Sequence, residues 1–116
     1  MIIEETVRNY LDSQLSCSVW LEIPEDLDEP TEYILVDKTG GNRENHINYA
    51  TIAVQSHSKN ALVDAISLNE EVKAVMLDHF NELSEVCRVE LNSDQNFTNT
   101  QTKTYRYQAV FDITYY

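Results

Sequence analysis

The C-terminal stretch KTYRYQAVFDITYY, residues Lys103 to Tyr116, decides the fold. Its side chains alternate strictly between two sets. The first set is aromatic or small and aliphatic, and comprises Tyr105, Tyr107, Ala109, Phe111, Ile113 and Tyr115. The second is mostly polar, and comprises Thr104, Arg106, Gln108, Asp112 and Thr114. Such a period of two is typical of a strand with one buried face. Because this strand exceeds the usual strand length, we expect it to form the spine of a sheet.

Four further segments carry strand patterns rich in aromatic and β-branched residues. They are Cys17–Ile23, Tyr33–Lys38, His46–His57 and Glu85–Leu91. The second segment is almost continuously apolar, which predicts an internal strand. It is followed by Thr39, Gly40 and Gly41, and this glycine pair predicts a turn directly after the strand.

The segment Glu85–Leu91 leads into a polar arm. Alternation predicts three side chains that face the core, Cys87, Val89 and Leu91, and two that face outward, Arg88 and Glu90. The arm, Asn92–Thr102, is polar except for Phe97 and is longer than an ordinary hairpin loop. We expect it to be mobile and to order against a partner. The alternative is a hairpin tip on which Phe97 packs back against its own sheet.

Two segments show the apolar spacing of amphipathic helices. Residues 2–15 place apolar side chains at helical intervals, and Ser58–Leu83 does so over a longer span. Ser58 is the predicted N-cap of the second helix. Asn69 interrupts its apolar stripe, which favours a bend or break near Leu68–Glu71.

The order of these elements, α-β-β-β-α-β-β, predicts one domain over residues 1–116. We expect an α+β fold of two layers, in which two helices cover one face of a mostly antiparallel sheet of about five strands. A chain of 116 residues suits a single core.

The charge of the chain restricts the function classes. A net charge of −12 argues against a groove for nucleic-acid phosphates and against docking on an anionic membrane. No apolar run is long enough to span a membrane, and Glu4 and Glu5 interrupt the N-terminal apolar residues, so we expect neither a membrane span nor a signal peptide. An acidic surface can instead line a passage to which DNA must not adhere.

No residue pattern predicts catalysis, a cofactor or a metal site. His46, His57 and His79 are interpreted as edge or surface residues, and the two cysteines, Cys17 and Cys87, as small buried side chains in a reducing compartment. Four carboxylates crowd the loop Pro24–Glu32, namely Glu25, Asp26, Asp28 and Glu29. They lack the spacing of a calcium loop, so a solvated acidic loop is expected.

Several side chains are candidates for contacts with a partner. Trp20 points away from the apolar face of its strand, and it is either covered by another layer or an exposed interface anchor. The sheet face opposite the helices mixes polar and apolar residues, which suits association with a second copy. The interface candidates are Trp20, Arg88, Asn96, Phe97, Arg106 and Gln108.

The chain resembles a family of phage proteins over nearly its whole length. The resembling stretches are IEETVRNYL, VDKTGG, ATIAVQSHS followed by ALVDAISLNEEV, and LNSDQNF followed by TKTYRYQAVFDI. They are similar to the small tail-terminator, or tail-completion, proteins of long-tailed bacteriophages and prophages of Gram-positive bacteria.

This resemblance implies a structural virion protein made in the bacterial cytoplasm. It would form a ring, by family likeness a hexamer, that caps the tail tube and joins it to the head-completion proteins. The four acidic residues of the loop could then line the bore. The alternatives are a head-completion or minor capsid protein, a phage protein that binds a host protein, and an enzyme, for which no nucleophile–base pair, metal set or phosphate loop is present.

Overall fold

The computed structural model describes residues 1–22, 31–98 and 104–116. The elements follow the predicted order, with a short 3₁₀ turn at Phe80–Glu82 between the second helix and the fourth strand. They are α1 (Ile3–Gln14), β1 (Ser18–Trp20), β2 (Glu32–Glu44), β3 (Ile47–Ser58), α2 (Leu62–Asp78), β4 (Val86–Asn96) and β5 (Tyr105–Tyr115). The predicted α+β class is confirmed.

The five strands form one sheet in the order β1-β2-β3-β5-β4. The short β1 pairs in parallel with β2, and the other three pairings are antiparallel. The C-terminal strand β5 is paired along its length with β3 on one side and with β4 on the other. It therefore has the internal position that its alternation predicts.

Both helices pack on the same face of the sheet. Alternate residues of β5, from Ala109 to Tyr115, are buried beneath them together with the apolar stripes of α1 and α2. The rings of Tyr10 and Phe80 meet edge to face with centroids 5.4 Å apart. This contact packs α1 against the 3₁₀ turn that follows α2. The opposite face of the sheet carries no helix from the described part of the chain.

The predicted turn at Gly40 and Gly41 is wrong. β2 continues through both glycines to Glu44, with one bulge between Lys38 and Gly40. The chain reverses instead at Asn45 and His46, whose φ angles are 51° and 67°. A two-residue hairpin loop needs positive φ at both positions, and asparagine adopts it readily, so the turn did not require a glycine.

Gly41 is needed for close approach within the hairpin rather than for a turn. A Cβ at this position would lie 2.8 Å from the backbone oxygen of Tyr49, whereas a Cβ at Gly40 would meet nothing within 4 Å. We expect Gly41→Ala to lower the free energy of unfolding by about 1–3 kcal/mol, because a backbone atom must shift. Gly40→Ala is the matched control and should be neutral or slightly stabilising. Urea unfolding followed by circular dichroism compares them, and equal losses would contradict this account.

The second helix is shorter than predicted at its start. Ser58 is the last residue of β3, and its Oγ accepts a hydrogen bond from the Asn60 N–H at 3.3 Å. The helix begins at Leu62, with Ala61 as its N-cap, so Ser58 is not the cap. No break occurs near residues 68–71. Asn69 fits within the helix because its buried side chain reaches β4.

The fourth strand extends into the segment predicted to be a polar arm. β4 runs to Asn96, so residues 93–96 are paired with β5, and residues 99–102 lie outside the described residues. Bulges between Val86 and Arg88 and between Leu91 and Ser93 shift the alternation. Consequently Cys87, predicted to be buried, is exposed, and Leu91 remains partly exposed. Cys17 is half-buried, and burial raises the pKa of its thiol.

A polar cluster fastens α2 to this strand. The Asp94 carboxylate accepts a hydrogen bond from Asn69 Nδ2 at 2.8 Å and pairs with Lys73 Nζ at 2.6 Å. Glu70 contacts the same ammonium group at 2.7 Å from a more exposed position. The cluster explains why a strand as polar as the second half of β4 is ordered.

We expect Asp94→Ala to destabilise the protein by about 1–3 kcal/mol, because it leaves the buried Asn69 amide without its acceptor. Glu70→Ala removes only the exposed partner of Lys73 and should change stability by about 0.5 kcal/mol or less. Urea titrations of the two variants at neutral pH test this, and a Glu70→Ala loss as large as that of Asp94→Ala would refute it.

The same cluster predicts an alkaline dependence of stability. Hydrogen bonds from Lys73 to Asp94 and Glu70 raise the pKa of the lysine above its usual range. The stabilisation is therefore complete below the unfolded-state pKa, about 10.4, and is lost as pH rises through the higher folded-state value. The difference in unfolding free energy between the native chain and Lys73→Met should be constant near neutrality and shrink above about pH 10.4. A difference in unfolding free energy that grows above this pH would contradict the prediction.

Candidate interaction surface

The face of the sheet opposite the helices is the candidate surface, and we call it the open face. Strand alternation places on it the side chains that point away from the core. From β1 to β3 they are Trp20, Tyr33, Leu35, Tyr49, Thr51, Ala53, Gln55 and His57. From β5 and β4 they are Arg106, Gln108, Val110, Asp112, Thr114, Arg88, Glu90 and Gln95. Most of them are half-buried or exposed, whereas Tyr33, Ala53 and His57 are buried, so the accessible part of the open face is mixed in polarity.

One end of the open face is aromatic. The ring of Trp20 lies 5.3 Å from that of Tyr33, and Tyr33 stacks on His57 with ring centroids 4.4 Å apart and an interplanar angle of 10°. Tyr33 and His57 are only 3% and 4% exposed. The surface position predicted for His57 is therefore wrong, whereas His46 and His79 are exposed as predicted. Trp20 is half-buried against Tyr33. It is therefore neither fully covered by another layer nor a fully exposed anchor.

Hydrogen bonds between side chains cross the middle of the open face. Gln55 Nε2 donates to Gln108 Oε1 at 3.1 Å, directly across β3 and β5. A second hydrogen bond, of 3.2 Å, joins Gln55 Oε1 to Nε2 of His57. These polar rungs lie beside Ala53 and Val110, which are paired across the same two strands. Ala53 is only 2% exposed, so the centre combines these hydrogen-bonded groups with the half-buried side chain of Val110.

The other end of the open face is acidic and contains a groove. Both oxygens of Asp112 accept hydrogen bonds of 2.9 Å, one from Thr51 Oγ1 and one from Asn92 Nδ2. Glu90 lies directly opposite Asp112 and forms an ion pair with Arg88. Beside them is a shallow groove of about 340 Å³, which runs along the strands towards Tyr49.

The end of the β4–β5 hairpin is held by Arg106. Its Nε donates to the carbonyl oxygen of Phe97 at 2.6 Å, and its guanidinium lies 5.1 Å from the centre of the Phe97 ring. The Phe97 N–H in turn donates to the Arg106 carbonyl oxygen at 2.9 Å. Phe97 therefore packs on its own hairpin, as the second alternative held, while 42% of the residue is exposed.

The structure places the predicted interface residues on the open face, except Asn96, which pairs with Tyr107 and therefore lies on the helix side. Arg106 and Phe97 are brought into contact, Gln108 lies at the centre, and Arg88 lies beside Asp112 at the acidic end. Trp20 is on β1, at the edge opposite β4, and Asn96 ends β4. The four acidic loop residues Glu25, Asp26, Asp28 and Glu29 lie outside the described residues.

The groove is the feature that sequence analysis missed. Tyr49 was assigned to a strand and Asp112 to a polar face, yet nothing in their spacing connected them. They share a face because β3 and β5 pair Tyr49 with Thr114 and Thr51 with Asp112. Alternation within each strand was visible in the sequence, whereas this antiparallel register between distant segments was not.

Within residues 1–22, 31–98 and 104–116, no group of three or more His, Cys, Asp or Glu side chains is placed to hold a metal ion. In the same ranges, no helix is long and apolar enough to cross a membrane. No model of a known protein family matches the chain, and a comparison with curated proteins finds no match either. The functional interpretation therefore depends on the geometry and chemistry of the open face.

Proposed function

We propose that this protein is a structural component of a bacteriophage or prophage tail. In this proposal it acts as a tail terminator, whose copies form a ring, six by family likeness, that caps the tail tube and contacts the head-completion proteins. It works by binding to itself and its neighbours in the virion and catalyses no reaction. It is made in the cytoplasm of the host bacterium.

The open face is the single observation that supports this proposal most directly. Its centre joins the half-buried apolar side chain of Val110 to the hydrogen-bonded pair Gln55 and Gln108. Such a combination of an apolar centre with satisfied polar groups is typical of surfaces that bind other proteins. In the described part of the chain the helices cover one side of the sheet, so the other side can receive a second protein.

The net negative charge of the chain is consistent with a protein that surrounds DNA without binding it. The chain carries 8 basic and 20 acidic residues, so its net charge of −12 repels phosphates. A ring of such chains would let DNA pass without adhering to the wall. Titrating duplex DNA against the purified protein at low salt should produce no binding, and binding that weakens steeply with added salt would contradict this part of the proposal.

Electron microscopy and light scattering of the purified protein test the proposed ring. Closed rings of one size, alone or in the presence of tail-tube protein, are the expected result. A chain that stays monomeric under all these conditions would overturn the proposal.

Capture experiments identify the neighbour in the virion. Retention of the tail-tube protein by the immobilised chain supports a terminator. Retention of the portal or adaptor protein instead would favour a head-completion or minor capsid role, and retention of a host protein alone would favour a host-directed one.

A further inference from the structure

The groove at the acidic end of the open face is lined by residues of different chemistry. Its lining includes Gly41, Asn42, Tyr49, Thr51, Asp112 and Thr114. Among these residues, Asp112 is half-buried and Tyr49 is 40% exposed.

Asp112 is an incompletely satisfied anion. Its two oxygens each accept one neutral hydrogen bond, from Thr51 and from Asn92, although a carboxylate can accept about four. Its cross-strand neighbour is Glu90, a like charge, and the arginine beside that pair, Arg88, is bound to Glu90. No cation of the described chain forms an ion pair with Asp112.

A groove lined by both a carboxylate and an exposed aromatic ring is suited to an arginine side chain. The planar guanidinium can donate two parallel hydrogen bonds to a carboxylate, and it can stack on an aromatic face at the same time. A lysine ammonium group offers a point charge without that planar fork. The presence of both Asp112 and Tyr49 in the lining therefore favours arginine over lysine.

The chain has four arginines, all within its described part, and three of them have partners. Arg8 pairs with Asp12, Arg88 pairs with Glu90, and Arg106 is bound to Phe97. Arg43, the fourth, is exposed on β2, and its side chain makes no hydrogen bond or ion pair within the described residues. It is therefore the arginine available to a second copy.

We propose that the groove binds the Arg43 side chain of a second copy of this chain, with Asp112 as the ion-pair partner and Tyr49 as the stacking surface. This inference rests on the proposed function, because it identifies one contact by which copies associate. The complementary charges also offset part of the repulsion between subunits that each carry −12.

The positions of the two partners determine the symmetry of this contact. Asn42 lies opposite Tyr49 and lines the groove, so alternation places the next residue, Arg43, on the helix side of the same hairpin. A donor and an acceptor on opposite faces cannot be exchanged by two copies packed open face to open face. The contact is therefore head to tail, which is the kind of interface that builds a ring.

Charge exchange tests this contact. We expect Arg43→Asp and Asp112→Arg each to weaken self-association roughly 30-fold or more, as removal of one member of a buried interfacial charge pair does. The double variant R43D/D112R should recover most of the association, because the pair is restored in reverse. Lys59→Asp makes the same change in charge at the other end of β3 and should leave association close to that of the native chain. Analytical ultracentrifugation measures all of these variants.

The outcomes separate this inference from the proposed function. Native association that Arg43→Asp leaves unchanged would overturn the contact and leave the ring proposal standing. A native chain that never associates would overturn both. The exposed Arg43 side chain holds no described residue in place, so at a concentration where both chains are monomeric its variant should unfold at the same urea concentration as the native chain. Asp112→Arg also removes the hydrogen bonds from Thr51 and Asn92. Urea unfolding of this variant shows how much monomer stability is lost with them.

Discussion

Phe111→Ala is expected to cause a loss of about 3–5 kcal/mol in the free energy of unfolding, more than any other substitution named above. Phe111 is completely buried at the middle of β5, where it lies between Ile52 of β3 and Leu91 of β4. Truncation removes most of a large apolar side chain and leaves a cavity that the two flanking strands cannot close. A small domain has about 5–15 kcal/mol of stability in total, so much of it would be lost.

Urea or thermal unfolding followed by circular dichroism measures this loss. Val110→Ala is the matched control, because it truncates the neighbouring residue on the opposite side of the same strand. It should lower the stability of the isolated chain by less than about 1 kcal/mol, since no helix of the described chain covers its side chain. Equal losses of unfolding free energy for Phe111→Ala and Val110→Ala would mean that the side chain of Val110 is also buried in solution.

Val110→Lys is expected to have the largest effect on assembly. Val110 lies at the centre of the open face, beside Ala53 and two residues from Gln108. A lysine there would place an unpaired charge in the middle of the proposed contact with a second protein, which costs several kcal/mol at a desolvated interface. We expect association to weaken roughly 30-fold or more while the unfolding curve of the monomer shifts only slightly.

Val63→Lys provides the control for that experiment. Val63 is 63% exposed on α2, on the helix side of the molecule, so the same chemical change occurs away from the open face. Sedimentation of the two variants over one concentration series compares them directly. If Val63→Lys disrupts assembly and Val110→Lys does not, copies contact one another through the helices, and the assignment of the open face is wrong.

The fold was predictable wherever one strand or helix determines its own pattern. The alternation of Ala109, Phe111 and Ile113 defined the buried face of β5 without any knowledge of its neighbours. The spacing of apolar residues likewise defined both helices. These local periods are properties of a single segment, and they remain visible in one sequence.

What could not be predicted depends on contacts between segments. The bulges in β4 expose Cys87, and they arise from its pairing with β5. Asn69 suggested a helix break because its acceptor, Asp94, lies 25 residues away on another element. The glycine pair suggested a turn because the backbone oxygen of Tyr49, which excludes a side chain at Gly41, is invisible in the local sequence.

The candidate site divides in the same way. Gln108 and Arg106 could be assigned to a surface from the polar half of the β5 pattern. The groove could not, because it is assembled from three strands whose register is set by the whole sheet. Its proposed occupant, Arg43, becomes conspicuous only when every other arginine is seen to have a partner.

The two irregularities in β4 have a consequence for how far association can proceed. A regular edge strand exposes unpaired backbone N–H and C=O groups, onto which strands of further chains can add repeatedly and form fibrils. Here the edge strand β4 has two bulges and carries the Arg88–Glu90 ion pair. A further strand would therefore meet an interrupted row of backbone hydrogen-bonding groups. If copies associate as proposed, we therefore expect them to meet through the faces of their sheets and to form an assembly of limited size.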